Sequence, residues 1–261
     1  MIANCLSVDL ESVSHREFNL LKRVNSGSDK LIETIKNILD LFNKFSAKAT
    51  FFVVGELYDQ YPQLINEIKA RGHEIAYHTH RHVLLKTKAD LINELKLSRK
   101  FLQKFHPIGF RAPRMFFRQE YFPILAASGF KYDSSSYDNF SSSKNYYGIK
   151  EFPVSLFSFF PDSNLNFPKN FSRSLIKGLP FGAGLSLSFF GKHTQTFINL
   201  INRRRQPAIL FFHPWQFTPY NQKILLKDMY NIPRLIYKLP INQTLEYLLS
   251  KNKFTCLKEL L

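Results

Sequence analysis

The apolar positions of this chain alternate between two periods. Ile2 to Val8 is a short apolar run that ends on Asp9 and reads as a buried strand. From Ser28, a plausible N-cap, the period becomes helical: Leu31, Ile35, Ile38, Leu39 and Phe42 recur with Lys30, Glu33, Lys36 and Asp40 between them. Ala49 to Val54 is a second strand, and Tyr61 to Ala70 an amphipathic stretch that stops at Gly72. Glu74 to Tyr77 is a third strand, running into His78. Lys88 to Phe105 reads as one helix, Ile108 to Arg111 as a strand, and Gln119 to Ser128 as a helix ended by Gly129. Tyr132 starts another strand. Val154 to Phe160 follows a Ser/Asn/Tyr-rich loop. A helix at Thr194 to Arg205, a strand at Ala208 to Phe212, a helix at Gln243 to Ser250 and a closing segment at Phe254 to Leu257 complete the chain.

Strands therefore alternate with helices from end to end, the pattern of a parallel sheet with helical crossovers. The expected fold is α/β: a distorted parallel (β/α) barrel with fewer than eight complete units. Residues 1–261 read as a single domain with an insertion at about 153–191, where the alternation breaks. Cys5 lies near the start of the first strand and Cys256 near the last, so closure would make them neighbours. Both are expected as free thiols, and two cysteines exclude a disulfide scaffold.

The charge adds a second theme. Lys and Arg number 36 against 20 Asp and Glu, a formal charge of +16, which suggests an anionic partner or a charge that serves only solubility. The N-terminus lacks the basic and long apolar regions of a signal peptide, and no apolar run reaches the roughly 18 residues of a membrane span. A cytoplasmic location is the expectation. Phe157, Phe159, Phe160, Phe167, Phe171, Phe181, Phe189 and Phe190 interleave with Lys169, Arg173 and Lys177, and Lys192 and Arg203 to Arg205 follow. This mixture reads either as core beneath a cap or as a peripheral contact with an anionic membrane. Arg203 to Arg205 also raises a nucleic-acid binder, but no recognised binding motif accompanies it, so no nucleic acid is expected.

In parallel barrels, active residues sit at the carboxyl ends of strands. Asp9 and Glu11, His78 and His82, Arg111, and His213 all fall at such ends. Three of the chain's 8 histidines fall within the stretch His78-Thr79-His80-Arg81-His82. His78 and His82 can share one face, and imidazoles with a carboxylate make a divalent-metal site. Asp9 and Glu11 are two apart and share a face on an extended strand end, so one can ligate while the other acts as base. Arg111, fixed by Pro113, can pin a carboxylate bidentately. His213, before Pro214 and Trp215, suits an acid/base role.

With the stretches "ATFFVVGE", "GHEIAYHTHRH", "GFRAP" and "ILFFHPWQF" in that order after Asp9, the chain resembles the polysaccharide deacetylases, the NodB-homology or carbohydrate esterase family 4 group. "EFPVS" and "LPFGAG" resemble the subgroup of exopolysaccharide loci. The resemblance runs from Ser7 to Leu257. It implies Asp9 as general base, His78 and His82 as metal ligands, Arg111 as the partner holding Asp9, and His213 as general acid. Leu10 stands where the family has a second aspartate, so Glu11 becomes the third ligand. The aspartate that orients the catalytic histidine corresponds to Asp133 or Asp138. The implied cofactor is a divalent metal, zinc first, with cobalt, manganese or nickel as alternatives. The implied reaction hydrolyses an N-acetyl amide on a cell-surface or lipid-linked saccharide, which would be polyprenyl-linked if membrane-bound. A deformylase or other amide hydrolase on the same scaffold, and a non-catalytic sugar-binding relative, are the competing readings.

Overall fold

The computed structural model describes residues 2–12, 28–139, 143–158, 178–217 and 240–261. The first strand, β1 (Asn4–Leu10), is buried along its whole length. A strand with no exposed face needs cover on both sides, which parallel sheets with helical crossovers provide. β2 (Thr50–Val53), β3 (Glu74–Tyr77), β4 (Gly109–Phe110) and β5 (Tyr132–Asp133) follow β1 side by side, each pair parallel. The sheet continues through β8 (Ile149–Glu151), parallel to β5, and the short β7 (Asn145–Tyr146), antiparallel to β8.

On its other side β1 pairs in parallel with β12 (Ile209–Phe212), and its first residues pair with β13 (Phe254–Thr255). The result is a curled parallel sheet with fewer than eight complete βα units, as the alternation predicted. Two small sheets lie apart from it: β6 (Tyr137–Asp138) with β9 (Val154–Ser155), and β10 (Phe157–Ser158) with β11 (Gly178–Leu179). Cys5 aligns with Thr255, its thiol lies 3.6 Å from the Cys256 carbonyl, and both cysteines are free and buried.

The helices follow their apolar faces. Ser28–Lys44 buries Ile35, Ile38, Leu39 and Phe42 against the sheet, and Ser46 (φ 51°) turns the chain out of it. The expected helix Lys88–Phe105 is two, Lys88–Leu97 and Arg99–Phe105, broken at Ser98. A capping box between Thr87 and Asp90 starts the first. Ser98 Oγ lies 3.1 Å from His80 Nδ1, so the break serves the loop after β3.

Of the eight phenylalanines near the insertion, Phe181 is buried, Phe157 and Phe190 are half-buried, and Phe189 is exposed. Phe159, Phe160, Phe167 and Phe171 lie outside the described residues. Among the described residues, no helix is long and apolar enough to cross a membrane.

One buried histidine at the opposite end of β3 makes stability depend on pH. His73 packs against Phe42 and Phe51 and accepts the Ala49 N–H at Nδ1. Burial first, then the Lys48 and Arg71 charges, push its pKa down to about 4. The unfolded chain therefore takes a proton that the folded chain refuses. Stability present above about pH 6.5 is lost as pH falls towards 4, by on the order of 2–3 kcal/mol. Urea unfolding of the wild type and His73→Gln at pH 7.5 and 4.5 checks this. The variant should lose less stability on acidification, and an equal loss refutes the assignment.

Candidate metal and acid–base site

The carboxyl ends of β1, β3, β4 and β12 converge on one buried cluster. Parallel strands end on the same rim, so residues just past each strand meet there. Asp9 is in β1, Glu11 one residue beyond it, His78 directly after β3, Arg111 after β4, and His213 after β12. All except His213 are buried, and His213 is half-exposed.

Arg111 is the anchor. Its side chain is fully buried, with the guanidinium 4.0 Å from the Phe52 ring and 5.1 Å from the Phe211 ring. Nη1 donates to Asp9 Oδ1 at 2.5 Å and to Ser7 Oγ at 3.0 Å. Nε donates to the Ser134 carbonyl and Nη2 to Ser134 Oγ. A buried cation needs partners in every direction, and the Ser134 loop and β1 supply them.

Glu11, His78 and His82 bring one ligand atom each within 4.8 Å of one another. Glu11 Oε2 lies 2.6 Å from His82 Nε2, and Oε1 lies 3.3 Å from His213 Nε2. The two histidine rings stand 4.9 Å apart. His78 Nδ1 lies 2.7 Å from the Arg111 carbonyl, so it carries the proton and Nε2 keeps its lone pair. Burial pushes the His78 pKa down to about 4. Burial alone would raise Glu11, but the surrounding His82, His213 and His78 hold it down at about 2. At neutral pH the trio thus offers a neutral imidazole and a carboxylate at metal-ligand spacing. That donor set fits a divalent cation, and Glu11 joins the two histidines as the sequence predicted.

The loop from His78 to His82 is strained. Thr79 (φ 62°) and His82 (φ 56°) are both left-handed, which costs on the order of 1–3 kcal/mol each. Glu94, fully buried, compensates. Its carboxylate accepts the His80 and Arg81 backbone N–H groups at 2.9 and 2.7 Å, and the Arg81 guanidinium through Nε and Nη2. Sequence reading missed Glu94, because an acid on a Lys-rich helix looks like part of a solvated face. Replacing Glu94 by Ala should weaken metal binding about 10- to 100-fold. Competition with a chromogenic chelator measures it, and unchanged affinity would mean the strand ends alone hold the loop.

Asp133 is not bonded to His213. Its carboxylate accepts the Ser135 N–H and Oγ–H and lies beside Glu151, its register partner on β8. Burial raises its pKa. Asp138 accepts its neighbour Asn139 N–H. Gln216 Oε1 lies 3.1 Å from His213 Nδ1. Trp215 stacks on the His213 ring at 4.4 Å and 13°.

Fold and cluster together define a curled parallel α/β sheet with a candidate metal and acid–base cluster at its carboxyl rim. The chain carries a polysaccharide deacetylase domain over part of its length. Residues 26–132 match the family described as Polysaccharide deacetylase, and 135–261 the family described as Domain of unknown function (DUF3473). The junction falls inside the sheet, since β5 of the first stretch pairs with β8 of the second.

A peptidoglycan-N-acetylglucosamine deacetylase of Bacillus cereus is 31% identical over 98 residues, 36% of this chain and 46% of the relative. A chitooligosaccharide deacetylase of Sinorhizobium fredii is 44% identical over 45 residues, 17% of this chain and 21% of the relative. The matches thus span less than half the length of these curated relatives. In fold, the chain is similar to the crystal structure of a provisionally named polysaccharide deacetylase of Mycobacterium smegmatis. The TM-score is 0.60 at 19% identity, covering 99% of this chain and 89% of that one. A CE4 family pseudoenzyme from Bacillus anthracis has TM-score 0.52 at 13% identity, covering 99% and 65%.

Proposed function

We propose that this protein is a metal-dependent N-deacetylase of an N-acetylated, cell-surface or lipid-linked saccharide, working at the inner membrane face. One observation carries the reading: the Glu11 carboxylate touches His82 with one oxygen and His213 with the other. A ligand set and an acid/base group share one rim, which a sugar-binding module does not need. The deacetylase relatives point to an N-acetylglucosamine-type substrate.

Glu11, His78 and His82 would hold the divalent cation, zinc ahead of cobalt, manganese or nickel; when bound it supplies Lewis-acid polarisation of the amide carbonyl. Asp9 accepts the proton of the attacking water. Arg111 occupies Oδ1, so Oδ2 is the oxygen that remains for it. Arg111 also keeps this carboxylate fixed while its protonation changes. His213 gives the proton on Nε2 to the leaving nitrogen, because an amine anion does not leave near neutral pH. The water adds OH to the acyl carbon and the amide C–N bond breaks, yielding acetate and a free amino sugar.

The decisive experiment is metal analysis of purified protein together with acetate release from N-acetylated glycans and lipid-linked amino sugars. Metal-dependent acetate release is expected. Formate release from N-formyl sugars alone would make it a deformylase. Sugar binding without turnover would make it a lectin-like relative, as the pseudoenzyme fold neighbour illustrates.

A further inference from the structure

The structure assigns to Gln216 the positioning of His213: it fixes the ring with a proton on Nδ1, so that only Nε2 can deliver a proton into the site. This rests on the deacetylase reading for its catalytic consequence, though not for the tautomer itself.

The argument begins with a donor whose identity is not in question. The backbone N–H of His213 points at a Gln216 side-chain atom 2.9 Å away. A backbone N–H can only donate, so that atom is the amide oxygen, whichever way the amide was drawn. The same oxygen lies 3.1 Å from His213 Nδ1. An amide oxygen can only accept, so Nδ1 must carry hydrogen. Nε2, 3.3 Å from Glu11 Oε1, is then the nitrogen that gains and loses the working proton. Once that proton has gone to the leaving amine, the ring is left neutral with hydrogen on Nδ1, the form that Gln216 selects.

The backbone that carries the amide is held. Gln216 is fully buried in the short helix Pro214–Phe217, its backbone N–H donates to the His213 carbonyl and its backbone carbonyl accepts the Ile241 N–H, while the amide Nε2 makes no hydrogen bond among the described residues. Gly184, at the start of the helix Gly184–Phe190, faces it. A Cβ at Gly184 would collide with Gln216 Oε1 and crowd the rest of the amide. The "LPFGAG" stretch therefore leaves a glycine-sized recess into which the Gln216 amide fits. Trp215 stacking and the edge of Phe211, 5.6 Å away, complete the restraint on the ring. The proposed acid, His213, is thus held at Nδ1 by a neutral amide from its own turn.

Two substitutions separate this role from simple packing. Gln216→Leu keeps bulk and removes the acceptor, whereas Gln216→Glu keeps an acceptor at the same reach. Gly184→Ala changes neither His213 nor Gln216 themselves, but its methyl would meet Gln216 Oε1 and displace the amide. In the metal-loaded full chain, Gln216→Leu and Gly184→Ala should each lower kcat about 10- to 100-fold, with KM and metal content changed less than about twofold. Gln216→Glu should recover most of the turnover. The tautomer is read directly from ring 15N shifts of histidine-labelled wild-type protein, with His213→Ala used for assignment. Hydrogen on Nδ1 is expected, and its loss in Gln216→Leu. A wild-type ring carrying hydrogen on Nε2 alone overturns the proposal even if every variant misfolds. So does a Gln216→Leu protein with unchanged kcat. If the wild type deacetylates nothing, the functional reading fails while the 15N result still decides the tautomer.

Discussion

Replacing His213 by Ala should lower turnover by about 10²–10⁴-fold while leaving bound metal unchanged, because a general acid typically contributes that much. The geometry explains the separation. His213 meets the cluster at Glu11 Oε1, 3.3 Å away, whereas Glu11, His78 and His82 form the ligand group without it. His78→Ala should behave oppositely, losing metal and activity together. Atomic emission analysis of dialysed protein, run beside acetate release, tests both variants. A His213→Ala protein that turns over normally refutes the acid assignment. One that loses its metal makes His213 a fourth ligand.

Arg111→Met should be the most destabilising substitution at the site, by about 3–5 kcal/mol, because it leaves the Asp9 carboxylate buried without its cation. For a chain of this size that lowers the melting temperature on the order of 10 °C. The double variant Asp9→Asn, Arg111→Met removes both charges and should recover much of the loss without recovering activity. Thermal unfolding of the singles and the double forms a cycle. A single variant within about 1 kcal/mol of the wild type would show that water reaches Asp9 freely and that the ion pair matters little.

The sequence was most legible where one physical signal acts alone. Short, mostly apolar runs marked β1, β2, β3 and β12, since a parallel strand covered on both faces exposes no side to solvent. Asp9, Glu11, His78, His82, Arg111 and His213 were legible because reactive residue types fell at strand ends, and the structure gathers them at one rim. Ser98 broke an expected helix because its role is tied to His80, distant in sequence. Gln216 was invisible for a similar reason. An amide has no titration or ligand signature, and its meaning depends on the space left by Gly184. Asp133 was read from a resemblance, and the local fold bonds it to Ser135.

The pairing of β1 with strands from the far end of the chain has a kinetic side. Ser7 Oγ donates to the Leu210 carbonyl across a sequence separation of 203, and Leu257 N–H reaches Thr50 Oγ1 across 207. Such contacts close long loops, whose entropy must be met before the contacts can reward it. During synthesis β1 therefore waits for most of the chain, an edge of apolar backbone without its neighbour. Asp9 and Glu11 ride on that strand and His213 on the late-arriving one, so acid and base meet only as the final strands dock. A nascent chain carries the histidine pair long before it carries a working centre, and metal captured early would meet only part of its cage.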